Sequence, residues 1–140
     1  MPKRAEWQGK ILFIETSEER PEPASYRLML AHLKAYGIFD QVAAIVAGKP
    51  QDEQYYNDYK QILRDETAAW NLPLLFNVNI GHAYPRTALP YGAEAVLDCS
   101  QQTLTSTEPF FSAEGPVQAG SPYRAVQLYG TISNRKYSGF

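Results

Sequence analysis

The chain is poor in the residues that mark a disulfide-stapled, metal-bound or membrane-spanning protein. Its 140 residues include one cysteine, Cys99, and two histidines, His32 and His82. A lone thiol excludes an internal disulfide and cannot build a structural zinc site. The two histidines do not sit at helix spacing for a metal, so a metal enzyme would need carboxylates converging from several loops. No metal or cofactor is expected. No apolar run approaches the roughly 20 residues that span a bilayer, and the segment 1–10 lacks the apolar centre of a signal peptide. Neither sign of charge dominates: 13 Lys and Arg face 15 Asp and Glu, a net charge of -2 with no dense basic run. An electrostatic grip on nucleic acid or on an anionic membrane is therefore not expected. The default setting is cytoplasmic.

What is present is an ordinary soluble composition, 44% hydrophobic and 20% charged, in a length that suits one compact domain and not two. Tyrosine stands out, with ten against six Phe and two Trp. Its apolar body and hydroxyl suit half-buried surfaces, which is the reading preferred here over a ligand cleft.

Lys10-Ile11-Leu12-Phe13-Ile14-Glu15 is a short apolar run ending abruptly in a charge, the pattern of a strand buried on both faces. After a polar loop over 16–23, a helix is predicted from Ala24 to Tyr36, stopped by Gly37, with Tyr26, Met29, Leu30, Leu33 and Tyr36 as its apolar stripe. Val42 to Ala47 forms the second buried strand, closed by Gly48-Lys49-Pro50. A second helix is predicted from an Asp52 cap to Trp70, with Glu66 the polar exception on its apolar face. Leu74 to Asn79 is the third strand. This alternation predicts an α/β fold with a small, mostly parallel sheet, flanking helices and right-handed crossovers. Beyond a loop over 80–92, Ala93–Asp98 and Thr103–Thr107 predict a terminal hairpin turning at Ser100-Gln101-Gln102. The domain is expected over 1–108. An irregular tail is expected over 109–140, with some strand character at Tyr123–Ser133.

Two residues suggest chemistry. Glu15 ends the first strand and His82 follows the third, and a parallel sheet brings the carboxyl ends of its strands to one edge. A carboxylate beside an imidazole fixes the ring tautomer and leaves the other nitrogen a usable general base. Gly81 allows backbone angles that a side chain forbids, and Pro85 and Pro90 stiffen the loop. On spacing alone the signal is weak, because lone loop Glu and His residues are usually solvated or structural.

The segments Gly9-Lys10-Ile11-Leu12-Phe13-Ile14-Glu15 and Asn77-Val78-Asn79-Ile80-Gly81-His82-Ala83-Tyr84-Pro85, followed by Leu89-Pro90-Tyr91-Gly92, resemble the LD-carboxypeptidase family of serine peptidases. That family includes the microcin C self-immunity peptidases, and Gly48-Lys49-Pro50 with Asp52-Glu53-Gln54-Tyr55-Tyr56 looks closer to that branch than to the murein-trimming one. The resemblance runs from Trp7 to Thr107. It implies a carboxy-terminal domain of swivelling β/β/α type, with Glu15 as the carboxylate and His82 as the general base of a Ser–His–Glu triad. The family's serine lies on a tight turn of a separate amino-terminal domain. Neither Ser17 nor Ser25 has the strand–turn–helix elbow that exposes a nucleophile. The resemblance also implies further residues before Trp7, so Met1 falls inside the expected domain and the chain reads as a shortened piece. An open strand edge would then favour a homodimer.

The implied function is serine-dependent hydrolysis of an amide bond in a peptide with a free carboxyl end, either a murein LD-peptide or a peptidyl-nucleotide. It would require the missing amino-terminal nucleophile domain as partner, leaving this chain inactive alone. The alternative is a non-catalytic α/β interaction module descended from the peptidase. Lys49, at a strand end, is a candidate for holding a substrate carboxylate. Gly48-Lys49 is no phosphate loop, lacking further glycines and a following Ser or Thr. Glu18 and Glu19 read as solvated loop charges, His32 as a surface histidine and Cys99 as a small buried hydrophobe.

Overall fold

The three apolar runs become the three strands of one parallel sheet. In the structure, a computed structural model that describes residues 3–107, these are β1 (Ile11–Ile14), β2 (Ala44–Gly48) and β3 (Leu74–Val78). They lie side by side in chain order, every pair parallel. Helix α1 (Pro23–Ala35) joins the first two strands and α2 (Tyr56–Thr67) the second and third. Strands in chain order joined by right-handed crossovers put both helices on the same face. The core shows this arrangement. Leu12, Ile14, Ile45 and Ala47 meet Tyr26 and Leu30 of α1 and Tyr59, Ile62 and Leu63 of α2.

The opposite face carries Val46, Leu75 and Val78, covered by Ile80 and Leu89 of the loop after β3 and by Leu97 of the hairpin. Strand β2 has a neighbour on each edge and a layer on each face, so it is buried along its whole length. That is the environment a continuous apolar run requires. Truncating Ile45, at 0% exposure, to Ala would cost about 2–5 kcal/mol, the range for emptying a core site. The hairpin follows as predicted: β4 (Ala95–Asp98) and β5 (Thr103–Ser106) pair antiparallel, with Asp98 opposite Thr103. The Asp98 carboxylate accepts from the Ser100 hydroxyl at 2.6 Å and from the Ser100 and Gln101 amides at 2.9 Å each.

Several expectations need correction. Helix α2 starts at Tyr56 and not at Asp52, because Asp52, Glu53 and Tyr55 all adopt positive φ, which no helix tolerates. Asp52 makes an ion pair with Arg20 in place of a helix cap. At its other end α2 gives way at Ala68 to a 3-10 turn that reaches Trp70. On α1, Met29 and Tyr36 are 47% and 59% exposed, so the buried stripe is narrower than periodicity suggests. A short 3-10 turn at Arg4–Trp7 had no periodic signal. Cys99 is exposed, not buried. Glu66, the polar exception on α2, receives a hydrogen bond from Arg27 at 2.6 Å and lies 3.5 Å from the Lys34 ammonium. It ties the two helices together at the edge of their apolar contact. The expected tail over 109–140 lies outside the described residues. Among the described residues no helix is long and apolar enough to cross a membrane.

Candidate active site

Three parallel strands end on one rim, and the residues that follow them carry the charges. Glu15 follows β1 directly, Lys49 follows β2, and His82 stands in the loop after β3. The ends of these strands are tightly interlocked. The Val78 carbonyl accepts from the Lys49 amide at 2.8 Å and from the Ile80 amide at 2.7 Å. A Cβ on Gly48 would lie 2.9 Å from the Ile80 carbonyl oxygen and 3.4 Å from Glu15 Cβ. Only glycine fits there.

His82 owes its place to its neighbours. Ile80 and Ala83 are buried on either side of it, and the Thr87 amide closes the loop onto the Asn79 carbonyl at 2.7 Å. Between those anchors Gly81 takes φ +89, a conformation that costs a side-chain-bearing residue roughly 1–2 kcal/mol. The loop thus holds the imidazole toward β1 while leaving it partly open to solvent.

Glu15 and His82 are brought together: His82 Nδ1 lies 3.7 Å from Glu15 Oε1, and both side chains are 42% exposed. The separation is longer than a formed hydrogen bond, so the carboxylate acts on the ring through space in this arrangement. A second acid was not anticipated as a partner. Glu18 Oε2 lies 3.1 Å from His82 Nε2, within hydrogen-bond reach. The backbone explains the approach. The Arg20 amide bonds the Ser17 carbonyl at 3.1 Å, closing a turn that carries Glu18 back over the rim. Arg20, at positive φ, anchors that turn by pairing with Asp52. The Tyr59 hydroxyl of α2 donates to the Pro21 carbonyl just beyond. Burial, and then the neighbouring Tyr55, push the Tyr59 phenol above its ordinary value, so it remains a proton donor. The sequence signal for Glu18 was its position three residues after Glu15 in a polar, proline-ended loop. That pattern fits a turn, but which residue the turn would face was not written locally.

The Lys49 ammonium is turned to Glu53, four residues on, at 3.5 Å. Cys99 Sγ sits 4.0 Å from the Leu74 carbonyl. Partial burial, then the Asp98 charge, raise its pKa, which keeps it a thiol and a poor nucleophile. Among the described residues no cluster of three or more His, Cys, Asp or Glu is arranged to hold a metal ion. Positive φ occurs at Arg20, Asp52, Glu53, Tyr55 and Gly81 in the segments leaving the strands and at Asn77 within β3, and also at Gly9, Gly37, Asn71, Gly92 and Gln102.

A rim that presents Glu15 against His82 is also what the sequence motifs around those residues imply, and a profile of the LD-carboxypeptidase C-terminal domain matches residues 1–97. The chain belongs to the LD-carboxypeptidase family. Within that family it is 28% identical to the microcin C7 self-immunity protein MccF of Escherichia coli, over 76% of this chain and 31% of the relative. It is 31% identical to a probable murein peptide carboxypeptidase of Bacillus subtilis, over 73% of this chain and 33% of that protein. The structure of an MccF-like protein from Streptococcus pneumoniae in complex with AMP superposes with a TM-score of 0.70 at 42% identity, covering 74% of this chain and 30% of that one. The chain therefore spans about a third of the length of the LD-carboxypeptidase relatives it matches. A mixed α/β domain with a small parallel sheet and a terminal hairpin is shared with them.

Proposed function

We propose that residues 1–108 are the carboxy-terminal part of a serine amidohydrolase, supplying the Glu and His of a Ser–His–Glu triad. The observation that carries this reading is the approach of Glu15 to His82 Nδ1 at 3.7 Å on the rim of the sheet. His82 would take the proton of a serine supplied by a nucleophile domain, then deliver it to the departing amine. Glu15 would hold the ring and stabilise the imidazolium. Lys49 would meet the free carboxyl end of the substrate after releasing Glu53.

The substrate is proposed to be a murein LD-peptide or a peptidyl-nucleotide. The second is supported by the microcin-immunity relative and by the AMP complex of the MccF-like protein. Activity requires the nucleophile domain, and the chain alone is proposed to be inactive. The test is to supply the serine-bearing remainder of the MccF-like relative and follow both substrates by mass spectrometry. A serine-directed phosphonate should label the mixture and should not label this chain alone. Hydrolysis that this chain does not stimulate would overturn the proposal.

A non-catalytic interaction module is the second reading. It is favoured by the exposed apolar side chains Leu28 and Met29 of α1 and Tyr36 just beyond its end. Among the described residues β1 and β3 each pair along one edge only, so a homodimer through an open edge is proposed under either reading. Sedimentation at two concentrations tests it.

A further inference from the structure

The imidazole at the rim has an acid on each nitrogen, and the two acids ask opposite things of it. Glu15 faces Nδ1 at 3.7 Å and Glu18 faces Nε2 at 3.1 Å. A neutral imidazole carries one ring proton, so it can donate to only one of them. With the proton on Nδ1, toward Glu15, Nε2 has a free lone pair and can accept from a hydroxyl. With the proton on Nε2, toward Glu18, that lone pair is gone and the ring cannot serve as base at that nitrogen.

We propose that Glu18 is a positioning residue that opposes Glu15. It holds the ring proton on His82 Nε2, keeping the base in its idle tautomer until an incoming hydroxyl takes the place of the Glu18 carboxylate. The nearer contact is the idle one, and only that contact lies within hydrogen-bond distance. Other charges on the rim are engaged elsewhere, since Lys49 faces Glu53 and Arg20 pairs with Asp52. The Ser17–Arg20 turn, moored through Arg20 and through the Tyr59 bond to Pro21, fixes where Glu18 stands. Its side chain is nonetheless 67% exposed, so the contact is weak enough for a docking surface to displace it. Once the Glu18 carboxylate has swung aside, the change within the ring is one proton lost and one gained. The ring loses its Nε2 proton to solvent and gains one at Nδ1, turning the same side chain into a competent base.

This inference rests on the triad reading for its consequence but is tested without it, on this chain alone. Nitrogen-15 NMR distinguishes the two tautomers of a histidine ring, and His32, exposed on α1, serves as an internal reference. At a pH where the rings are neutral, the excess of the Nε2 form over the Nδ1 form should be greater in His82 than in His32 by up to about fivefold, the bias an exposed pair can exert. In Glu18→Ala the excess should reverse toward Nδ1, while His32 does not change. Glu15→Gln should leave the Nε2 form in place. A wild-type ring already protonated mainly on Nδ1, or a Glu18→Ala spectrum identical to wild type, would overturn the role of Glu18. Either result is independent of whether the chain supports hydrolysis, so failure here and failure of the triad reading are separable.

Discussion

A methyl group placed on Gly81 would lie 2.0 Å from Glu15 Oε2. The residue before the proposed base is thus a shaping surface for the proposed acid, and its missing side chain is what lets the carboxylate stand beside the ring. The obstructed atom is the mobile end of Glu15, so Gly81→Ala should push the carboxylate away more than it unfolds the domain. A stability loss of about 1–2 kcal/mol is expected from the left-handed backbone alone. The larger effect should be a fall of about tenfold or more in the activity of the complemented enzyme. Thermal unfolding and initial rates on the same preparation separate the two effects, and a loss confined to stability would contradict this account.

Glu15→Gln preserves shape and removes charge. In a complemented enzyme it should lower kcat by several powers of ten, on the order of the 10⁴-fold loss in the serine-triad template. Folding should be essentially unchanged, because Glu15 is 42% exposed. Near-normal turnover would remove Glu15 from the machinery.

Tyr59 is almost fully buried against Tyr26, with ring centroids 4.6 Å apart, and its hydroxyl reaches the Pro21 carbonyl. Tyr59→Phe keeps the ring packing and deletes the bond. The expected cost is about 1 kcal/mol in denaturant unfolding, together with faster amide exchange across the Ser17–Arg20 turn. Unchanged exchange there would mean that the bond does not secure the loop.

The hairpin should be acid-sensitive at one residue. The Ser100 hydroxyl and then the Gln101 amide, with a lesser part from the Ser100 amide, hold the Asp98 carboxyl below its ordinary value, against an opposing effect of desolvation. A folded-state pKa below the unfolded one means that this contribution is present at neutral pH. It is lost as pH falls through the folded value, below the usual carboxylate range. Exchange of the Ser100 and Gln101 amides, corrected for intrinsic chemistry, should therefore accelerate on acidification in the wild type and not in Asp98→Asn. Identical profiles would reject the assignment.

The sheet was legible because a strand buried on both faces must be continuously apolar, as Ile11–Ile14 and Ala44–Ala47 are. The meeting of Glu15 and His82 followed from topology, since parallel strands share an edge. What was hidden depended on turns. The three left-handed residues before Tyr56 leave no trace in hydrophobic periodicity, so Asp52 looked like a cap when its charge belonged to Arg20. The same blindness concealed Glu18. Its neighbours mark a loop, but its partner lies in another loop far along the chain. Glu66 was visible as an anomaly on α2, and only the packing of α1 supplies Arg27 and Lys34 to account for it.

The hydrogen bond from Tyr59 to Pro21 has a mechanical corollary. It pins the outgoing end of the acid-bearing loop to α2, leaving the strand end as the other fixed point. The loop is then a short bridge with both feet planted, free to bow but not to drift. Changes inside α2 that tilt Tyr59, though remote from any ligand, would alter how far that bridge can bow.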